Sequence, residues 1–179
     1  MKIHLDIENS KRRNWIITTR HNWTSRFDQF FFWVYSVMSI LVAAFLLYAT
    51  FKIEWSKSFS LVLLLLLFSA LFLVGLISLF TLFTFNKLWR INGEDRQQNE
   101  KILQQIFKEQ FGHQPTVAGD LLKIYRQPTL WKMGKRVVVI LEGKDILINI
   151  ATFDFRMIRS PIHGLFDFLQ IIKIKRRLK

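Results

Sequence analysis

Two stretches of the chain, 30–51 and 58–86, carry no ionisable residue, and neither shows the one-sided polar stripe of an amphipathic helix. About 20 apolar residues cross the roughly 30 Å hydrocarbon core of a bilayer, so runs of 22 and 29 residues suffice. The pattern predicts membrane helices over 30–51 and 59–88, joined by a short external loop at 52–58. A pair of buried helices in a soluble protein is the plainer alternative, and the missing amphipathic period argues against it. The first run starts too late, is too long and lacks the small-x-small site of a cleavable signal peptide. Small residues interrupt both runs. Ser39 and Ala43 form a small-xxx-small pair, and Gly75 and Ser78 mark the second run. Such positions let helices approach closely, either within one hairpin or between copies.

Outside these runs the period changes. Ile3, Leu5 and Ile7 alternate with polar residues, a polar turn follows over 9–14, and 15–19 is rich in β-formers. That pattern makes the arm 1–29 a β-hairpin. An isolated hairpin is marginal in water, so it should dock on the sheet that follows. After the second run, 92–95 reads as a helix start with Asn92 as cap. Ile102, Leu103, Ile106, Phe107 and Phe111 then make one apolar stripe, and Gly112 ends the helix. The segment 121–126 is a short strand. The runs 136–141 and 145–151 flank Glu142-Gly143-Lys144, the clearest hairpin signal in the chain. Ser160-Pro161 resembles a cap followed by Pro at the first helical position, opening a last helix. The expected fold is a two-helix transmembrane hairpin plus a small α+β domain over 92–179, joined by the arm, with a mostly antiparallel sheet.

Charge orients this picture. The chain holds 26 Lys and Arg against 13 Asp and Glu, a formal net charge of +13. Positive residues crowd the arm (Lys2, Lys11, Arg12, Arg13, Arg20, Arg26) and the segment after the second run (Lys87, Arg90, Arg96), whereas the loop offers only Lys52 and Lys57 beside Glu54. The positive-inside rule then puts both termini in the cytoplasm of a bacterial inner membrane. The region 87–179 alone has 18 Lys and Arg against 9 Asp and Glu. Such an excess attracts lipid headgroups, nucleotides or other polyanions. At the C-terminus, Lys173, Lys175, Arg176 and Arg177 fit charge lying over anionic lipid, at about 1 kcal/mol each.

Catalytic chemistry finds little footing. There is no Cys, no phosphate-cradling glycine loop and no G-x-S-x-G elbow. The four histidines, His4, His21, His113 and His163, lack metal-ligand spacing. His163 lies between Asp154 and Asp167, but a solvated turn histidine is the simpler reading, and Asp120, Glu142 and Asp145 look like turn residues. The expectation is a protein that is not an enzyme and needs neither metal nor cofactor. What remains is a set of basic residues around the central hairpin: Arg126, Lys132, Lys135 and Arg136, with Arg156 and Arg159 able to join them. Arg and Lys at strand ends hold phosphates, Arg through a two-point fork. Nucleic-acid recognition signatures are absent.

The layout of two spans, a small basic cytosolic domain and no catalytic motif resembles that of two-pass effectors in bacterial anti-phage signalling. The resemblance is one of architecture. It implies a homo-oligomer whose cytosolic domain senses an anionic ligand such as a nucleotide messenger and controls membrane-perturbing assembly of the hairpins. The competing expectations are an accessory or scaffold subunit of a larger inner-membrane complex, and a lipid-surface adaptor.

Overall fold

The computed structural model describes residues 5–18, 23–52, 59–112, 114–155, 159–160 and 162–178, the side chains of 23–29, 51–52 and 59–61 excepted. Ile3, the loop at 53–58 and Pro161, each given a role above, lie outside the described residues.

Two long helices, α2 (Trp23–Lys52) and α3 (Phe59–Phe83), dominate one end of the molecule. Their apolar segments, Phe30–Thr50 and Val62–Phe83, have mean hydropathies of 2.3 and 2.9. At 1.5 Å per residue each is about 30 Å long, and both are long and apolar enough to span a membrane. They pack side by side through small residues. Ser36, Ala43, Gly75 and Ser78 are buried, and a Cβ on Gly75 would stand 2.7 Å from Cγ1 of Ile40. The Ser36 hydroxyl turns back to donate to the Phe32 carbonyl, 2.8 Å away. Of the predicted packing residues, Gly75 lies against Ile40 of α2, Ala43 and Ser78 are buried, and Ser39 is half-buried.

The second apolar run does not stay helical to its end. α3 stops at Phe83, five residues short of the expected 88. Residues 84–86 form a turn closed by the Lys87 amide on the Thr84 carbonyl, and Leu88 is buried against the sheet. The cause is tertiary. Backbone carbonyls just past α3 accept hydrogen bonds from Asn149 and Arg159, which replace the helical bonds a longer helix would supply.

The following strands, β1 (Trp89–Asn92), β2 (Thr116–Ala118), β3 (Leu121–Arg126), β4 (Gly134–Glu142) and β5 (Asp145–Phe153), form one antiparallel sheet in the order β1-β5-β4-β3-β2. Between β1 and β2 lies α4 (Arg96–Phe111). Its cap is Asp95, which accepts from the Gln97 and Gln98 amides, and not Asn92, which pairs with Asp145 inside β1. Gly93 makes the exit possible, because a Cβ there would run into the Asn99 side chain. Buried Asn99 in turn accepts from the Glu94 amide and donates to the Lys144 carbonyl.

The helix α5 (His163–Arg177) closes the fold. Ser160 does not cap it. Its hydroxyl lies 2.6 Å from Nδ1 of His163 instead. The stripe Leu103, Ile106 and Phe107 of α4 and Ile171 and Ile174 of α5 cover one sheet face, over Leu122, Val137, Val139, Ile146, Ile148 and Ile150. Ile102 and Phe111 border this core. The start of α5 also packs on α3. A Cβ on Gly164 would overlap Thr81, and the Phe168 ring sits 5.6 Å from Phe80 and 4.6 Å from Trp89.

The arm corrects the expected β-hairpin. The polar segment read as a turn is a helix, α1 (Ile7–Arg13). Asp6 caps it, Lys11, Arg12 and Arg13 fall in its last turn, where they suit the helix dipole, and Asn14 ends it in the left-handed region at φ 49°. The strand-like flanks survive as single bridges, Leu5 to Thr18 and Trp15 to Lys87. Docked by Leu5, Ile7 and Ile16, the arm covers Leu88, Leu121, Val138, Ile140 and Leu147 on the second face of the sheet.

Candidate anion-binding site

Alternation along β4 sends Lys135, Val137 and Val139 to the helix-covered face and Arg136, Val138 and Ile140 to the other. Arg136 stands opposite Tyr125 on β3 and Ala151 on β5. Its guanidinium lies over the Phe153 ring, 5.3 Å from the centroid. Nε and Nη2 are both buried and have no hydrogen-bond acceptor. Burial pushes its pKa down to about 10, against the opposing influence of Tyr125, so the group stays charged at neutral pH. Nε and Nη2 form the side edge of the fork, the donor pair that grips a carboxylate or phosphate at two points.

Arg159 stands beside it, at the edge of β5, where it bridges to Phe153. Nη1 donates to the Phe85 carbonyl and Nη2 to the Ile150 carbonyl, the latter at 3.3 Å, while Nε is buried without an acceptor. The group lies over the Phe85 ring at 4.8 Å. Its pKa also falls to about 10, through burial, with Asp167 opposing and the nearby charge of Arg136 adding to the fall. Two buried cations thus repel one another beside the exit of α3. A buried charge without a partner costs several kcal/mol, and an unmade buried hydrogen bond about 1–3 kcal/mol.

The other predicted cations are elsewhere. Arg126 and Lys135 border a shallow depression with Gln110, Phe111 and Ile124. There the Arg126 Nη2 donates to the Met133 carbonyl at 2.9 Å, and Lys135 Nζ donates to Gln170 Oε1 at 2.6 Å. Burial lowers the Lys135 pKa, partly offset by Asp167, 3.9 Å away. Lys132 is exposed in the loop between β3 and β4. Arg156 lies outside the described residues. The sheet therefore divides the predicted cluster and leaves Arg136 and Arg159 together. Lys173, Lys175 and Arg176 are exposed on α5, while Arg177 joins Glu109 of α4 at 2.7 Å.

Two further polar residues, Asn149 and Asp167, help to build this region. Asn149 donates to the Lys87 carbonyl at 2.8 Å and approaches that of Phe85 at 3.5 Å. Its signal is a single polar residue inside the apolar run of β5. Asp167, taken as a neighbour of His163, is buried and accepts from the Thr152 amide (3.0 Å) and hydroxyl (2.7 Å). The other acids form ion pairs, Asp120 with Lys11 and Arg96, and Glu142 and Asp145 with Arg90. Among the described residues no three His, Asp or Glu side chains converge as metal ligands; His4, His21 and His113 lie outside them. No protein-family model, curated protein or solved structure matches the chain.

Proposed function

We propose that this is a two-pass membrane protein whose basic domain receives an anionic ligand on Arg136 and passes its occupancy to the hairpin. The observation that carries the reading is the free Nε–Nη2 edge of Arg136, held buried in a basic setting without an acceptor. A phosphate or carboxylate supplies both missing acceptors and the missing negative charge at once. The route to the hairpin is short. An anion on Arg136 relieves the repulsion felt by Arg159, and Arg159 and Asn149 hold the carbonyls at the exit of α3. Ligand-controlled arrangement of the hairpins is the expected output, with both termini on the cytoplasmic side, where anionic metabolites abound. The reaction class is binding and signalling rather than catalysis.

The test uses the full chain in detergent micelles, titrated with inorganic phosphate, pyrophosphate and nucleoside phosphates. Each charge-assisted bond is worth about 1.5–3 kcal/mol, so Arg136→Gln should weaken binding roughly ten- to a hundredfold. Arg176→Gln removes the same charge from an exposed site and should change affinity little, with an effect that salt screens. Equal effects of the two substitutions would overturn the site and favour a scaffold subunit whose charge acts only in bulk.

A further inference from the structure

We infer that the end of the sheet at which β4 begins and β5 ends rests in the headgroup layer of the leaflet from which α3 emerges, through Leu130, Trp131, Met133, Phe155, Ile162 and Phe166. This inference adopts the membrane placement of the hairpin proposed above and adds a second lipid contact.

The register sets the direction. β1 leaves the exit of α3 with Trp89 opposite Ile148 and ends with Asn92 opposite Asp145. Travelling along β5 from Asp145 to Phe153 therefore leads back toward α3, by about 3.3 Å per residue. Asn149 and Arg159 confirm this sense, since both reach the carbonyl of Phe85. Gly134, the first residue of β4, pairs with Phe153, the last of β5. The loop before Gly134 thus projects beyond the sheet at the α3 end.

The start of α5 lies deeper still. Gly164 packs on Thr81, inside the apolar segment Val62–Phe83, and Phe168 touches Phe80. Ile162 and Phe166 flank that contact and point outward, both exposed. In water this end would present a patch of large apolar side chains from three separate segments, with Trp131 93% and Leu130 78% exposed. Patches of that kind mark contact surfaces.

The occupant is lipid rather than protein because the start of α5, which carries Ile162 and Phe166, packs on Thr81 and Phe80 of α3, the helix on which Leu73, Leu76 and Phe83 are exposed. Composition agrees. Trp131 is followed by Lys132, the aromatic and basic pairing of a membrane interface. Glu142 and Asp145 lie around the β4–β5 turn at the opposite end of the sheet and Glu94 and Asp95 follow β1, while at the patch end Asp154 follows Phe153 and Asp167 is buried.

The chain has no cysteine, so single labels are clean. Leu130→Cys, Lys144→Cys and Leu66→Cys are each labelled with an environment-sensitive fluorophore. The full chain is then placed in phosphatidylethanolamine–phosphatidylglycerol vesicles carrying a headgroup-level or an acyl-chain quencher. The label at 130 should shift to the blue on transfer from detergent and be quenched several-fold more by the headgroup-level probe than the label at 144. The label at 66 should respond to the acyl-chain probe. If 66 responds and 130 behaves as 144 does, the second contact is overturned while the hairpin placement stands. If 66 fails to respond, the membrane placement falls and this inference with it.

Discussion

On its helix-covered side β4 contributes Val137, Val139 and Leu141, all buried among side chains from α4 and α5. On its other side the same strand contributes Ile140 and Val138, beneath the arm, and then Arg136, whose side edge has no acceptor. Neighbouring β5 repeats the contrast, with Ile146, Ile148 and Ile150 on one face and Leu147 followed by Asn149 on the other. The first face is an apolar core up to its Gly134–Phe153 end, where Lys135 and Thr152 meet polar groups of α5. The second is apolar only where the arm covers it, and becomes polar toward the exit of α3. The difference teaches that one face holds the larger apolar core and the other was left incomplete beside the helix it grips.

The contrast predicts large losses on the covered face. Phe107→Ala should cost about 3–5 kcal/mol, read by chemical denaturation of the full chain in detergent. A loss below about 1 kcal/mol would mean that α4 is not an integral part of the core. Asp167→Ala tests the polar exception on that same side. It leaves the Thr152 amide and hydroxyl without their acceptor, at about 1–3 kcal/mol each, and should lower the unfolding midpoint accordingly.

Arg136→Met is the substitution that can break the comparison. Replacing a buried guanidinium whose side edge has no acceptor by an apolar side chain of similar length should leave stability unchanged or raise it, by up to about 1–4 kcal/mol, while abolishing anion binding. A clear loss of stability would show that Arg136 belongs to the structural core after all. The smallest effect belongs to the arm. Lys11 holds the Asp120 carboxyl below its ordinary value of 3.8, chiefly through their 3.0 Å hydrogen bond. Because that pKa is lowered, the contribution is complete above the ordinary value and fades as pH falls through the lowered one. Lys11→Ala should cost less than about 1 kcal/mol at neutral pH and flatten the acid limb of the stability–pH curve.

Where local period or local chemistry was strong, the elements were legible. The stripe from Ile102 to Phe111 became α4 with Leu103, Ile106 and Phe107 buried, the segment 121–126 became β3 with those bounds, and Gly143 turns the β4–β5 hairpin at φ 59°. Reading failed where two local signals competed. The arm holds a period of two and also a full helix-capping set from Asp6 to Asn14, and the caps won because short helices depend on their ends. Asn92 lost its capping role because β1 needed it as the partner of Asp145.

By itself the sequence determined the two long apolar helices, the amphipathic α4 and the central hairpin, since each depends on spacing within a few residues. Tertiary structure alone decided where α3 stops and which buried guanidinium N–H groups have no acceptor. Those outcomes depend on contacts between distant parts of the chain, such as Arg159 with Phe85 and Asn149 with Lys87, 74 and 62 residues apart. Whether a buried cation is satisfied depends on acceptors brought to it by other elements, and no local pattern around Arg136 records their absence.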